Sequence, residues 1–181
     1  MLKKMLCGMA LVLAAGVTCV FAAPAADSTT LFDFEDNADV AKWQIEDQLK
    51  AIVTLACSTE HATSGKHSLQ MSLKPHAWPG MFTEAVPKDW SGYAELSFDV
   101  FAAVDTALNV RIDDEASTDY NSRFNSQALD VSKGANTVTV TLGDVGDAVD
   151  LKKIKRLVIF SGDVPEDRVF FIDNVRLVKK K

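Results

Sequence analysis

Short β-prone segments, each bounded by turn residues, limit this chain's fold more than any other feature. They fall near 31–35, 50–56, 67–74, 80–85, 94–102, 107–113, 123–130, 135–142, 154–160 and 168–178. Several alternate strictly, as in Ser68-Leu69-Gln70-Met71-Ser72-Leu73 and Thr137-Val138-Thr139-Val140-Thr141-Leu142. Alternation sends successive side chains to opposite faces, so such a strand buries one face and wets the other. Many short strands with turns between them predict an all-β sandwich or jelly roll. Lys133-Gly134-Ala135-Asn136 is a turn leading into the second alternating run. Helix signals are weak, with single turns expected at Ala38 to Trp43 and at Leu151 to Ile154.

The last segment, Val169-Phe170-Phe171-Ile172-Asp173-Asn174-Val175-Arg176-Leu177-Val178, is strongly β-prone and holds one carboxylate that reads as buried, Asp173. Asp is depleted in strands because its side chain competes for backbone partners. A carboxylate there needs a cation, a cap or a buried hydrogen bond. At the other end, Leu31-Phe32-Asp33-Phe34-Glu35-Asp36 puts Phe32 and Phe34 on one face and Asp33 and Glu35 on the other. The first and last strands are therefore expected to pair or stack near a carboxylate cluster. Lys179-Lys180-Lys181 reads as a frayed, solvated tail.

The first residues read as a secretory signal. Lys3 and Lys4 precede an apolar run from Leu6 to Phe21, and small residues follow at Ala22, Ala23, Ala25 and Ala26. Cleavage after Ala22 or after Ala25 satisfies the small-residue rule, and Ala25 is preferred. Residues 1–25 are then a signal peptide and 26–181 a single domain, secreted or periplasmic, with no membrane segment after signal removal. Only Cys57 of three cysteines remains, so packing or a metal must supply the stability. Without Lys3 and Lys4, the 19 basic residues become 17 against 25 acidic ones, a formal charge of −8. That balance argues against nucleic acid as partner and suits neutral ligands and calcium.

Several motifs carry a resemblance. Phe32-Asp33-Phe34-Glu35-Asp36 followed by Trp43 resembles the entry of galactose-binding-like jelly rolls, a class with many carbohydrate-binding modules of bacterial glycoside hydrolases. Ser64-Gly65-Lys66-His67-Ser68-Leu69 is similar to their Ser-Gly-Lys-x-Ser-Leu turn and strand. Trp78-Pro79-Gly80 is similar to the Trp-x-Gly of xylan- and glucan-binding members, although Lys74 and His76 stand where those modules often carry an arginine. Asp89-Trp90-Ser91-Gly92-Tyr93 with Leu96-Ser97-Phe98-Asp99-Val100 resembles the next segment, and Phe171 to Leu177 the last strand. The matches span nearly the whole chain after residue 25, in order.

The resemblance implies a structural calcium near Asp33, Glu35, Asp173 and the Lys66 carbonyl. Calcium takes six to eight hard oxygens, so the donor types suit it. The residues alone also allow Glu35 to pair with a lysine and Asp173 to cap a turn. For a ligand, Trp78 is the leading contact, because the flanking Pro75 and Pro79-Gly80 can lift an indole to solvent, where its face stacks on a sugar ring. Trp90 and Trp43 read mainly as core. Arg111 and Asp113 share one strand face, and Tyr120, Asn121, Arg123 and Asn125 enter the next strand. Such groups match sugar hydroxyls, which both donate and accept. The same stretch, from Arg111 to Asn125, also fits a solvated hairpin loop.

Signals for an enzyme are thin. His61, His67 and His76 lack tight zinc spacing, and no nucleophile elbow, phosphate loop or dinucleotide fingerprint occurs. Cys57 reads as a buried strand residue. The expected function is non-catalytic binding of a polysaccharide or oligosaccharide through a concave sheet face, with calcium as a structural ion. The alternative is a structural or interaction domain of the same fold that binds another extracytoplasmic protein.

Overall fold

The computed structural model describes residues 27–181, so the expected signal peptide lies outside the described residues. The fold is an all-β sandwich. One sheet has the strand order β10-β6-β13-β3-β2. Its strands are β2 (Val53–Ser58), β3 (Ser68–Leu73), β6 (Tyr93–Ala102), β10 (Gly134–Thr141) and β13 (Arg168–Lys179), and β1 (Ser28–Phe32) pairs with β13. The other sheet runs β5-β11-β7-β8, made of β5 (Gly80–Thr83), β7 (Thr106–Asp114), β8 (Phe124–Asn125) and β11 (Ile154–Phe160). Strand β9 (Leu129–Val131) also pairs with β7, and β4 (His76–Ala77) with β12 (Asp163–Val164) make a small ribbon. Every strand pairing within the sheets is antiparallel.

The core lies between the two sheets and follows the period of two. Leu96, Phe98 and Val100 of β6 and Phe170 and Ile172 of β13 meet Leu108, Val110 and Ile112 of β7 and Leu157 and Ile159 of β11, all buried. Each such side chain stabilises the fold by about 1.5–3 kcal/mol on leaving water. Trp43 and Trp90 are core residues, as expected. Phe32 and Phe34 stack on each other and pack against Trp43.

The first and last strands do pair, but β1 begins and ends earlier than the 31–35 segment. Phe34 sits at a φ of 55°, which turns the chain off the strand while its ring stays in the core. The expected 123–130 strand is split in two. From Asn125 to Leu129 the chain advances four residues while its partner moves three, from Arg111 to Leu108. The extra residue makes a bulge, and the Ser126 hydroxyl takes the Val110 amide there. The second helical turn is Leu142–Gly146, not 151–154, because Leu142 and Val145 share a buried face. The C-terminal tail is held as far as Lys180. Lys179 ends β13, and the Lys180 amide and ammonium bond the carbonyls of Gly92 and Ser91. Among the described residues no helix is long and apolar enough to cross a membrane.

Candidate functional site

The outer face of the β5-β11-β7-β8 sheet is built by the same alternation that fills the core. Leu108, Val110 and Ile112 point inward, which leaves Asn109, Arg111 and Asp113 outward. Cross-strand register then aligns Phe82, Val158, Arg111 and Asn125 in one row, and Phe160 beside Asn109 in the next. A cavity of about 1060 Å³ opens over these rows.

Two exposed aromatics flank it, Trp78 at 63% exposure and Tyr120 at 68%. Trp78 precedes β5 at one edge of the sheet, and Tyr120 precedes β8 at the other. Trp78 has a φ of 59°. Left-handed backbone is unfavourable for a bulky residue, and here a proline follows as well. The conformation is imposed from both sides. The Trp78 amide bonds the Gly162 carbonyl, and the Pro79 carbonyl accepts from the Ser161 amide. Gly80 allows this close approach, since a Cβ there would overlap the Phe160 backbone and the Ile159 carbonyl. The indole leans on Phe160 at 6.1 Å and keeps its remaining surface in water.

Arg111 is held by Asp113, whose Oδ1 accepts from Nε at 2.7 Å while Oδ2 accepts from Nη2. Asp113 is buried behind the guanidinium and is not among the cavity-lining residues. It therefore positions Arg111 rather than facing a ligand. Arg123 lies 5.6 Å from the Tyr120 ring, cation over π face. Four of the five expected ligand contacts, Trp78, Arg111, Tyr120 and Arg123, thus line one cavity, with Asp113 behind them. Sequence reasoning missed Asn109 and Gln127, which add amides to the lining, and Phe160, which supports the indole. The outward position of Asn109 beside Arg111 on the alternating strand is the signal that would have found it.

The expected metal ligands do not converge. Among the described residues no three or more His, Cys, Asp or Glu side chains gather as a cation site. Asp33 closes its own turn by accepting the Glu35 amide. Glu35 Oε1 accepts the amides of Lys66 and His67, at 2.7 and 2.8 Å, and these donors hold its carboxyl below the usual range. The Lys66 group that meets Glu35 is thus an N–H. Asp173 Oδ2 accepts the amides of Thr63 and Ser64, at 2.6 and 2.7 Å, and the Thr63 hydroxyl at 3.2 Å. Oxygens already facing N–H donors are poorly placed for a cation that demands free lone pairs. The donor set fits two amide clamps on the 63–67 loop rather than calcium.

Beside the second clamp lies Asp99, the strand partner of Asp173. It accepts from Thr63, Thr137, Asn174 and Arg176, so the buried Asn174 and Arg176 side chains have a partner. Gly65, at a φ of 67°, gives the loop its turn, and a Cβ there would overlap the Glu35 carboxyl. Gly65→Ala is expected to cost about 1–2 kcal/mol from backbone strain alone, plus the lost clamp. Denaturant unfolding measures it, and an unchanged midpoint would argue against the clamp.

No family model matches the chain, and no curated protein matches it. Solved structures do. The solution structure of a family 11 carbohydrate-binding module, CtCBM11, superposes with a TM-score of 0.68 at 15% identity, over 88% of this chain and 99% of that one. A xylan-binding domain of family 22 from Paenibacillus barcinonensis gives 0.57 at 17%, over 87% and 99%. An exo-β-agarase gives 0.68 at 17% over 84% of this chain, which spans only 25% of the agarase. The fold is accordingly the jelly-roll sandwich found in these carbohydrate-binding modules.

Proposed function

We propose that this protein is an exported, non-catalytic carbohydrate-binding domain that holds a glycan across the outer face of the β5-β11-β7-β8 sheet. The observation that carries the reading is Trp78. An indole kept at 63% exposure on a left-handed backbone, beside a cavity lined by Arg111, Tyr120 and Arg123, has a cost and no packing benefit that explains it. Binding explains it, because a flat apolar platform next to fixed donors and acceptors is what a pyranose needs. Two platforms at opposite edges of the sheet favour an oligosaccharide or polysaccharide over a single sugar. The likeness to modules described as binding a mixed-linked tetrasaccharide and xylan supports the same reading.

A glycan array probed with the purified protein tests this. Binding to extended glycans, lost in a Trp78→Ala, Tyr120→Ala double variant of unchanged melting temperature, is the expected result. An array with no bound glycan would sink the reading and leave a protein-interaction domain in its place.

A further inference from the structure

Of the charged residues that line the cavity, Glu46 and Arg111 are paired, and Arg123 and Asp163 have no ion pair among the described residues. Glu46 is paired to Arg156, and Arg111 to Asp113. Of the chain's five arginines, Arg111, Arg156, Arg168 and Arg176 each have a carboxylate within 4 Å, while Arg123 has none among the described residues. Its Nε is buried and has no hydrogen-bond partner among the described residues. A buried donor without an acceptor is unfavourable, and an unpaired guanidinium more so. The remaining charged lining residue, Asp163, is exposed and pairs in register with Ala77, on the Trp78 side. Arg123 precedes β8 at the opposite sheet edge, so Asp163 does not serve as its partner.

We infer that the glycan taken by this face is acidic, and that Arg123 receives its anionic substituent through its two terminal nitrogens beside the Tyr120 ring. A guanidinium meets a planar or tetrahedral oxyanion with two parallel N–H bonds. Such an anion supplies the missing countercharge, which a sugar hydroxyl does not. The oxyanion is a carboxylate of a uronic acid or a sulfate ester, which offer the same pair of oxygens. The protein as a whole is acidic, so general attraction does not draw a polyanion to it, and preference for one must come from a local contact. This inference rests on the carbohydrate reading above.

The test compares polymers that share a backbone and differ in charge. Binding of the purified protein is measured to de-esterified and to methyl-esterified polygalacturonan, to a sulfated and a desulfated galactan, and to neutral mixed-linkage β-glucan. The charged member of at least one pair is expected to bind roughly tenfold tighter or more, the scale of one charge-assisted contact. The advantage should shrink at high salt, and the pair that shows it identifies the source as carboxylate or sulfate. Arg123→Gln should abolish the charged-to-neutral ratio, and Arg123→Lys should retain part of it, with melting temperatures reporting that both variants fold. Equal binding within both pairs, or a ratio unmoved by Arg123→Gln, overturns the inference and leaves the carbohydrate reading standing. If none of the five polymers binds, this inference falls, and the glycan array decides the carbohydrate reading.

Discussion

Trp78→Ala is expected to weaken glycan binding by about 1–3 kcal/mol, roughly 5- to 150-fold, with little change in melting temperature. The size follows from losing a stacked aromatic anchor, and the silence in stability follows from where the residue sits. Its indole lies against Phe160, and most of its surface is already in water. Relief of the left-handed strain at position 78 would be small and of the opposite sign. Trp90→Ala is the contrasting control. Trp90 is fully buried, and its loss should cost about 3–5 kcal/mol of stability. Calorimetric titration and thermal melts of both variants separate affinity from stability. A Trp78→Ala protein that melts much lower but binds as before would mean that the indole is structural.

Asp173→Ala is expected to lower stability by about 2–4 kcal/mol. The change leaves the amides of Thr63 and Ser64 without their acceptor, at about 1–3 kcal/mol each. Relief from burying a carboxylate offsets part of that. Burial pushes the Asp173 carboxyl above its ordinary value of 3.8, against the pull of the Ser64, Thr63 and Asn174 amides. In the interval from that value up to the raised one, the folded state binds more protons than the unfolded state. Stability from this group therefore falls as pH rises through the interval. Asp173→Asn should remove this slope and cost less than Ala, since one carbonyl oxygen remains for the amides. Urea midpoints across acidic pH measure both effects. If the clamps need no cation, calcium and chelator give the same melting temperature. A calcium-dependent rise that Asp173→Ala abolishes would instead mean that these oxygens turn from the amides to the ion.

What the residues determined alone is the sandwich itself. Strict alternation at Ser68 to Leu73 and Thr137 to Leu142 gives each strand one buried face, and two such sheets can only close on each other. Trp43 and Trp90 were legible as core, and Asp173 as a buried carboxylate with a partner to find, because local pattern and side-chain chemistry decide those matters. Tertiary structure alone decided which groups meet. Glu35 and Asp173 were expected round one ion, yet they grip neighbouring amides of a single loop, because its turn at Gly65 aims N–H groups at them. Arg111 and Asp113 carry the same sequence signal, two apart on one strand face. The fold nevertheless leaves one in the cavity and buries the other behind it. The unpaired charge of Arg123 belongs to the cavity it lines, whose walls take residues from β5, β7, β8 and β11. No pattern along the chain encodes it, since electrostatic partners are set by distance through space.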